Sequence, residues 1–454
     1  MQWRPAAFYQ SRRESAFAFQ GDERVKIIVV EPYTRTPGHH ERLPVRTCEA
    51  FANLGHEVTL VTYGGLSSNW FQTRLPFQVV DAAPPGATDL DARYYKGKID
   101  IKSYRSLAKR MIREYRTFRF AASLIRRDHF AVVHFYDADL LVLALAMKLF
   151  KGFRKNTSPV IVLTVHHVLT LAPSQPEYPP GMSLSRKIRR KIYRSALRYV
   201  AGRLIQYNLD GIVVLDPSLK KAILSRFGTD QAVADRIRVV PHGIGDPVEV
   251  VSKEQARARL KLPPGETLFL VFGVLRKDKR IDLAIEAIRD LPRCRLVIAG
   301  AAQDIDESTI FELTRRYGCE EQVFTEIDHI PEQKMHDYFS ACDAVIIPYD
   351  DSFQGLSGIL TLACGHGRPV IASDVSLLGE TVRQRQLGFA VEPGSALGLR
   401  EAMLRFLSLT PEERAQMEQR VESYARQMSW DSVCEKWVDF YQELLERRKK
   451  LCCT

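Results

Sequence analysis

Residues 268–284 read LFLVFGVLRKDKRIDLA. The run 268–272 is apolar throughout, the pattern of a parallel strand buried on both faces. Gly273 lets the chain turn sharply with its backbone close to a ligand. Arg276, Lys277, Lys279 and Arg280 follow, and an amphipathic segment begins at Ile281. The cations therefore stand beside a helix N-terminus, whose free amides and dipole already favour an anion. The stretch predicts a strand, a turn and the start of a helix, with the chemistry of a phosphate or diphosphate seat. An ordinary strand-to-helix loop with solvated cations has the same features, and the stretch alone does not separate the two. It carries neither the spacing of a Walker loop nor Gly-x-Gly-x-x-Gly.

The same alternation continues outward. Strands are expected at 295–299, 344–348 and 370–372, separated by helical stretches. Between the last two lies DDSFQGLSGILTLACGHGRP, a glycine-rich loop entering a helix of small residues. Ser357 suits the N-cap of that helix and leaves the following amides for an anion. Towards the N-terminus, 25–30 (VKIIVV) is a buried strand followed by a loop containing Gly38, His39 and His40. A helix over 41–54 ends at Gly55, and 56–62 returns as a strand. Such a βαβ start predicts a doubly wound sheet with ligands at the carboxyl ends of its strands.

Residues 63–100 read as irregular, 101–127 as a long helix rich in Arg and Tyr, 132–136 as a strand and 139–150 as a helix. The strand 159–165 places His166 and His167 at its carboxyl end. There an imidazole can hydrogen-bond or move a proton, though a histidine in a loop is commonly structural. Further strands are expected at 211–215 and 236–240, and Pro241, His242 and Gly243 then read as a hinge. A final amphipathic helix runs from Trp430 to about residue 450. The resulting domains are a tail at 1–24, Rossmann-like domains at 25–245 and 246–428, and a C-terminal crossover helix and tail at 429–454.

With 454 residues, 45% hydrophobic and 26% charged, the chain has the composition of a globular protein of two or three domains. Residues 1–245 hold 38 Lys+Arg against 20 Asp+Glu, a net of +18, and the remainder 27 against 34, a net of −7. A basic front half implies an anionic partner: a phospholipid surface, a nucleic acid or a phosphorylated substrate. Its sharpest cluster, 183–203, interleaves eight Lys and Arg with apolar residues. That pattern suits either an anionic membrane or a core helix with a wet basic face. No nucleic-acid motif with aromatic platforms is present. Eight cysteines without Cys-x-x-Cys spacing fit a reducing compartment and no zinc framework. No signal peptide and no run of about twenty apolar residues is seen, so a cytoplasmic location is expected, at the inner face of a membrane if 183–203 binds one.

Two successive doubly wound domains with a Pro-His-Gly hinge and a closing helix resemble the GT-B fold, two Rossmann-like domains facing a cleft. The chain from residue 25 onward is similar to the large retaining family of bacterial envelope-polysaccharide and lipid-linked-sugar transferases, glycosyltransferase family 4 or group 1. Gly273, Leu275, Arg276, Lys279 and Asp282 match its Gly-x-Ile/Leu-Arg-x-x-Lys-Gly-x-Asp segment, with Arg280 where the family has glycine. Gly300, Asp343, Gly367, Arg368, Pro369, Gly379, Glu380 and Gly388 also fall in place. Gly38, His39, Glu41 and Arg42 resemble the family's Gly-Gly-x-Glu-Arg loop, with His39 in place of the second glycine. Thr164 and His166 resemble its Thr-x-His segment.

The resemblance implies transfer of a sugar from a nucleoside diphosphate to a hydroxyl acceptor, a glycan or lipid-linked glycan, with retention and no further cofactor. It implies catalytic roles for His166, beside the transferred sugar, and for Arg276 and Lys279, on the diphosphate. Gly273, Gln354, Ser357 and Gly358 would bind the donor, and Gly38 and His39 would line the cleft. No Asp-x-Asp metal motif occurs in a suitable loop. The family's pair of glutamates, with seven residues between them, is replaced by Gln354 and Leu362. Leu362 has no group for a ribose, which keeps a second reading open: a catalytically silent GT-B protein that binds sugar nucleotide or a partner.

Overall fold

The computed structural model describes residues 24–34, 39–66, 75–84, 104–136, 138, 140–150, 159–165, 183, 195, 199–227, 231–245, 251–353, 355 and 357–453, without the side chains of 39–42, 104–108, 141, 148, 150 and 451–453. Thirteen strands occur among them. They are β1 Lys26–Val30, β2 Glu57–Thr62, β3 Gln78–Asp81, β4 Val132–Phe135, β5 Val160–Val165, β6 Gly211–Val214, β7 Ile237–Val239, β8 Thr267–Phe272, β9 Cys294–Ala299, β10 Val323–Glu326, β11 Ala344–Ile347, β12 Val370–Ser373 and β13 Gly388–Val391. They form a seven-stranded sheet in the order β3-β2-β1-β4-β5-β6-β7 and a six-stranded one in the order β10-β9-β8-β11-β12-β13. Both are doubly wound, as their apolar strands and intervening helices predict. By packing, the chain divides inside β5, into residues 1–161 and 162–453.

In the first unit, Ile27, Ile28, Val29 and Val30 of β1 are fully buried. The Tyr104–Arg127 helix covers them, and its Phe118 meets Phe135 of β4 edge-on at 5.0 Å. The stretch read as irregular contains a strand, β3, paired in parallel with β2.

In the second unit, the registers of β8 with β9 and β11 bring the carboxyl ends of the three strands together. A buried ion network ties the sheet to the Lys253–Leu260 helix. Asp343 accepts from Lys253 and Arg257, each at 2.7 Å, and from the Leu268 amide at 2.8 Å. Arg257 also donates to the carbonyls of Ala341, Pro264 and Glu266, so both buried charges are fully engaged.

The C-terminal helix, Trp430–Cys453, reaches past the expected end near residue 450. It lies on the last strands of the first sheet: a Cβ on Gly211 would meet Leu444 and Phe440 at 2.6 and 2.9 Å. Arg238 of β7 pairs with Glu443, and Arg448 with Asp210. At its start, Ile244 donates from its amide to Met428 and forms a parallel bridge with Ser429. The two chain segments that pass between the sheets therefore run side by side.

Among the described residues, no helix is long and apolar enough to cross a membrane. The helical stretch 199–207 continues beyond Arg203, with Tyr199 and Tyr207 exposed. The side chains of 184–194 lie outside the described residues.

Candidate functional site

β8 ends at Phe272, and Gly273 turns the chain with φ +94°. Its neighbour Gly300, at the end of β9, has φ +152°, and a Cβ there would lie 2.2 Å from the Gly273 carbonyl oxygen. Two strand ends thus meet backbone to backbone, and neither position accepts a side chain. The turn is held by Gly273 N to Ala299 O at 2.9 Å and Leu275 N to Ala301 O at 2.8 Å.

The four cations that follow divide between inside and outside. Lys279, in the short 3-10 turn Lys277–Lys279, is 6% exposed. Its Nζ donates to the carbonyl of Phe272 at 3.0 Å, lies 3.0 Å from where a Gly273 Cβ would be, and stands 6.0 Å from the centre of the Tyr349 ring. Burial, and then repulsion by Arg276, push the ammonium down to about 8, with Asp278 opposing. Arg276 stands at the rim, where Nε and Nη2 donate to the two oxygens of Asp278 at 2.9 and 2.8 Å. Arg280 adopts a left-handed conformation (φ 44°, ψ 48°) and pairs with Asp282, and Lys277 is exposed.

The loop after β11 closes the other side. The Tyr349 hydroxyl and Ser357 Oγ are 3.2 Å apart, and burial pushes the Tyr349 phenol up to about 12. Ser357 is the N-cap of the Gly358–Gly365 helix, accepting from the Ile359 amide at 3.1 Å, as its sequence position predicts. Ile359 Cδ1 lies 3.3 Å from the same notional Cβ on Gly273. Asp350 N donates to Asp278 O at 2.9 Å and ties the two loops together. Gly273, Lys279, Ser357 and the start of the Gly358 helix therefore converge, with Arg276 at the edge. Tyr349 joins them without having stood out in the sequence. Gly38, His166, His167 and Gln354 lie outside the described residues, and His39 begins the His39–Asn53 helix with its side chain undescribed.

At the far end of the same helix, Leu362 packs with the apolar core rather than offering a polar group. Its carbonyl lies 2.8 Å from His366 Nδ1, and His366 Nε2 lies 2.9 Å from His336 Nδ1. A carbonyl only accepts, so His366 carries its hydrogen on Nδ1 and receives one from His336 on Nε2. Burial pushes His366 down to about 3. Among the described residues, no three His, Cys, Asp or Glu side chains gather in a way that could hold a metal ion.

A family model described as "Glycosyl transferases group 1" matches residues 252–428, and one described as "Glycosyltransferase Family 4" matches 40–246. The chain is 28% identical over 265 residues to a D-inositol 3-phosphate glycosyltransferase of Rhodococcus erythropolis, covering 55% of this chain and 57% of that one. The match thus spans little more than half of that relative's length. Among solved structures, a glycosyltransferase from Rickettsia africae ESF-5 shares the fold with a TM-score of 0.64 and 16% identity, over 93% of this chain and 99% of that one. Anabaena Alr3699/HepE, solved with UDP, does so with a TM-score of 0.63 and 14% identity, over 92% and 100%. The two matched regions leave only 247–251 between them and contain every strand from β2 to β13. The chain belongs to the glycosyltransferases of group 1 and family 4, and its fold is GT-B.

Proposed function

We propose that the chain moves a sugar from a nucleoside-diphosphate sugar to a hydroxyl acceptor with retention of configuration. One observation carries the placing of the donor diphosphate. Lys279 is a buried cation bonded to a neutral carbonyl, at the carboxyl ends of β8 and β11. Such a charge is costly until an anion arrives, and the amides beyond Ser357 and the guanidinium of Arg276 flank the same place. Breaking the anomeric bond leaves its electron pair on the diphosphate. A seat organised in advance for that charge is worth several kcal/mol, of order 3, in lowering the barrier. Arg276 and Lys279 act there, Gly273 lets the phosphates approach, and Ser357, Gly358 and Gln354 hold the donor. His166 stands beside the transferred sugar, and Gly38 and His39 line the cleft. The UDP bound by Alr3699/HepE supports a UDP-sugar as the first donor to try.

The acceptor belongs to the domain formed by 25–245, with 246–428 holding the donor and 429–454 crossing back. The net +18 of residues 1–245 supports an anionic glycan or lipid-linked glycan. It also supports a cytoplasmic protein that touches an anionic membrane through 183–203. The Rhodococcus relative, named for D-inositol 3-phosphate, adds weight to an anionic acceptor.

A thermal-shift and donor-hydrolysis screen against UDP-, GDP-, ADP- and dTDP-sugars, with Arg276→Ala alongside, tests the reading. One donor that stabilises the protein and is slowly hydrolysed, both lost in Arg276→Ala, is the expected result. Leu362 favours a second reading, a silent GT-B protein, and the absence of binding to any donor would select it.

A further inference from the structure

We propose that Asp278 is a positioning residue of the diphosphate seat: it holds the fork of the Arg276 guanidinium while the seat is empty, competes with the phosphates for it, and so hastens release of the nucleoside diphosphate product. This rests on the reading that 273–279 and the Gly358 helix seat the donor diphosphate.

The geometry is that of an internal stand-in. Two parallel bonds from Nε and Nη2 to one carboxylate, at 2.9 and 2.8 Å, are the arrangement a guanidinium also offers a phosphate. The fork that would grip the diphosphate is therefore already filled by an anion of the chain itself. Both side chains sit at the rim, 39% and 30% exposed, whereas Lys279 lies inside. A diphosphate resting on Lys279 meets Arg276 at the edge held by Asp278, and must share the guanidinium or displace the carboxylate. Two anions on adjoining edges of one guanidinium repel each other. Asp278 stays ionised, because the hydrogen bonds from Arg276 hold it below the usual carboxylate range.

The turn itself does not depend on that carboxylate. Its backbone is fixed by Lys279 N to Arg276 O and Arg280 N to Lys277 O, each at 3.1 Å, and by Asp350 N to Asp278 O at 2.9 Å. Asp278→Asn therefore removes the charge and leaves the loop in place. A second pair provides the control. Arg280 and Asp282 repeat the same fork two residues apart, but on a left-handed residue and facing one another outside the seat.

The experiment titrates UDP, GDP, ADP, dTDP and inorganic pyrophosphate into wild type, Asp278→Asn, Arg276→Ala, the double variant and Asp282→Asn by calorimetry. Asp278→Asn is expected to bind the nucleotide and pyrophosphate roughly two- to five-fold tighter, the range of a half-exposed ion pair. At the higher ligand concentrations that residual binding to Arg276→Ala requires, the gain should vanish when Arg276 is already alanine, the signature of a coupled pair. In turnover, donor KM and kcat should fall together in Asp278→Asn, a split that mere damage to the fold does not produce. Unchanged or weaker binding in Asp278→Asn overturns the proposal, as does an equal gain in Asp282→Asn. If wild type binds none of the probes, the donor-seat reading fails and takes the proposal with it.

Discussion

The ammonium of Lys279 donates to the carbonyl oxygen of Phe272 at 3.0 Å, so a buried positive charge rests on a neutral partner. Burial brings its pKa to about 8, below the ordinary 10.5 of the unfolded chain. Between these values the unfolded state binds the extra proton, so this group makes stability rise with pH from about 8 to 10.5. Lys279→Met should stabilise the ligand-free protein by on the order of 2 kcal/mol at pH 7 and flatten that rise. The same variant should weaken nucleoside-diphosphate binding at least roughly tenfold, the worth of a charge-assisted bond. Urea titrations from pH 7 to 10, with calorimetric titration of nucleotide, check both halves. In wild type, nucleotide affinity should fall as pH rises above about 8.

Gly243 faces Trp430 so closely that a Cβ would come within 2.4 Å of the indole. Its φ lies outside the left-handed region, so the constraint is purely steric. Gly243→Ala should cost about 1–3 kcal/mol by overpacking. Trp430→Leu in the same chain should recover part of that loss, and thermal melts of the four variants in the cycle would show it.

Arg280 holds φ 44° and ψ 48°, a conformation that costs a side-chain-bearing residue about 1–2 kcal/mol. Glycine avoids that cost but loses more entropy on folding, and the half-exposed pair with Asp282 contributes little. Arg280→Gly should therefore raise stability by roughly 0.5 kcal/mol, whereas Arg280→Val should lower it by about 1–2 kcal/mol. Denaturant midpoints measured at one slope decide between these signs.

His366 is half-buried, stacked on Phe339 at 5.2 Å, and held near 3, below the ordinary 6.5. As pH falls below about 6.5 the unfolded chain takes up a proton that the folded one refuses. Stability is then lost at up to about 1.4 kcal/mol per pH unit. His366→Asn should flatten this loss between pH 6.5 and 5. It should also lower stability at pH 7.5 by about 1–3 kcal/mol, because His336 Nδ1 loses its acceptor. Urea midpoints of both proteins at pH 7.5 and 5.5 make the comparison.

The strands legible in the sequence are those buried on both faces, such as 268–272, 295–299 and 344–348, where apolar runs match β8, β9 and β11 within a residue. Three strands left no such trace: β3, β10 and β13. Each is an edge of its sheet. β10 leaves Phe324 and Thr325 exposed, so its pattern is indistinguishable from a loop. The proposed seat has its local elements legible in the sequence, the turn from Gly273 to Lys279 and the Ser357 cap. Tyr349 was not, because its place beside Lys279 and Ser357 depends on β11 lying next to β8. Neither was the grip of Asp278 on Arg276, which depends on the 3-10 turn between them. The Asp343 network joins residues 75 to 90 positions apart, a separation that no window of sequence reveals.

The helix Trp430–Cys453 falls outside both regions matched by the family models, yet Phe440 and Leu444 cover Gly211 and its strand. The chain is thus modular in its sequence but not in its synthesis. A ribosome finishes β6 and β7 more than two hundred residues before it makes their cover. A fragment ending at residue 245 would emerge with that apolar face bare and should be recovered as aggregate. Supplying 429–454 as a separate peptide should return it to solution.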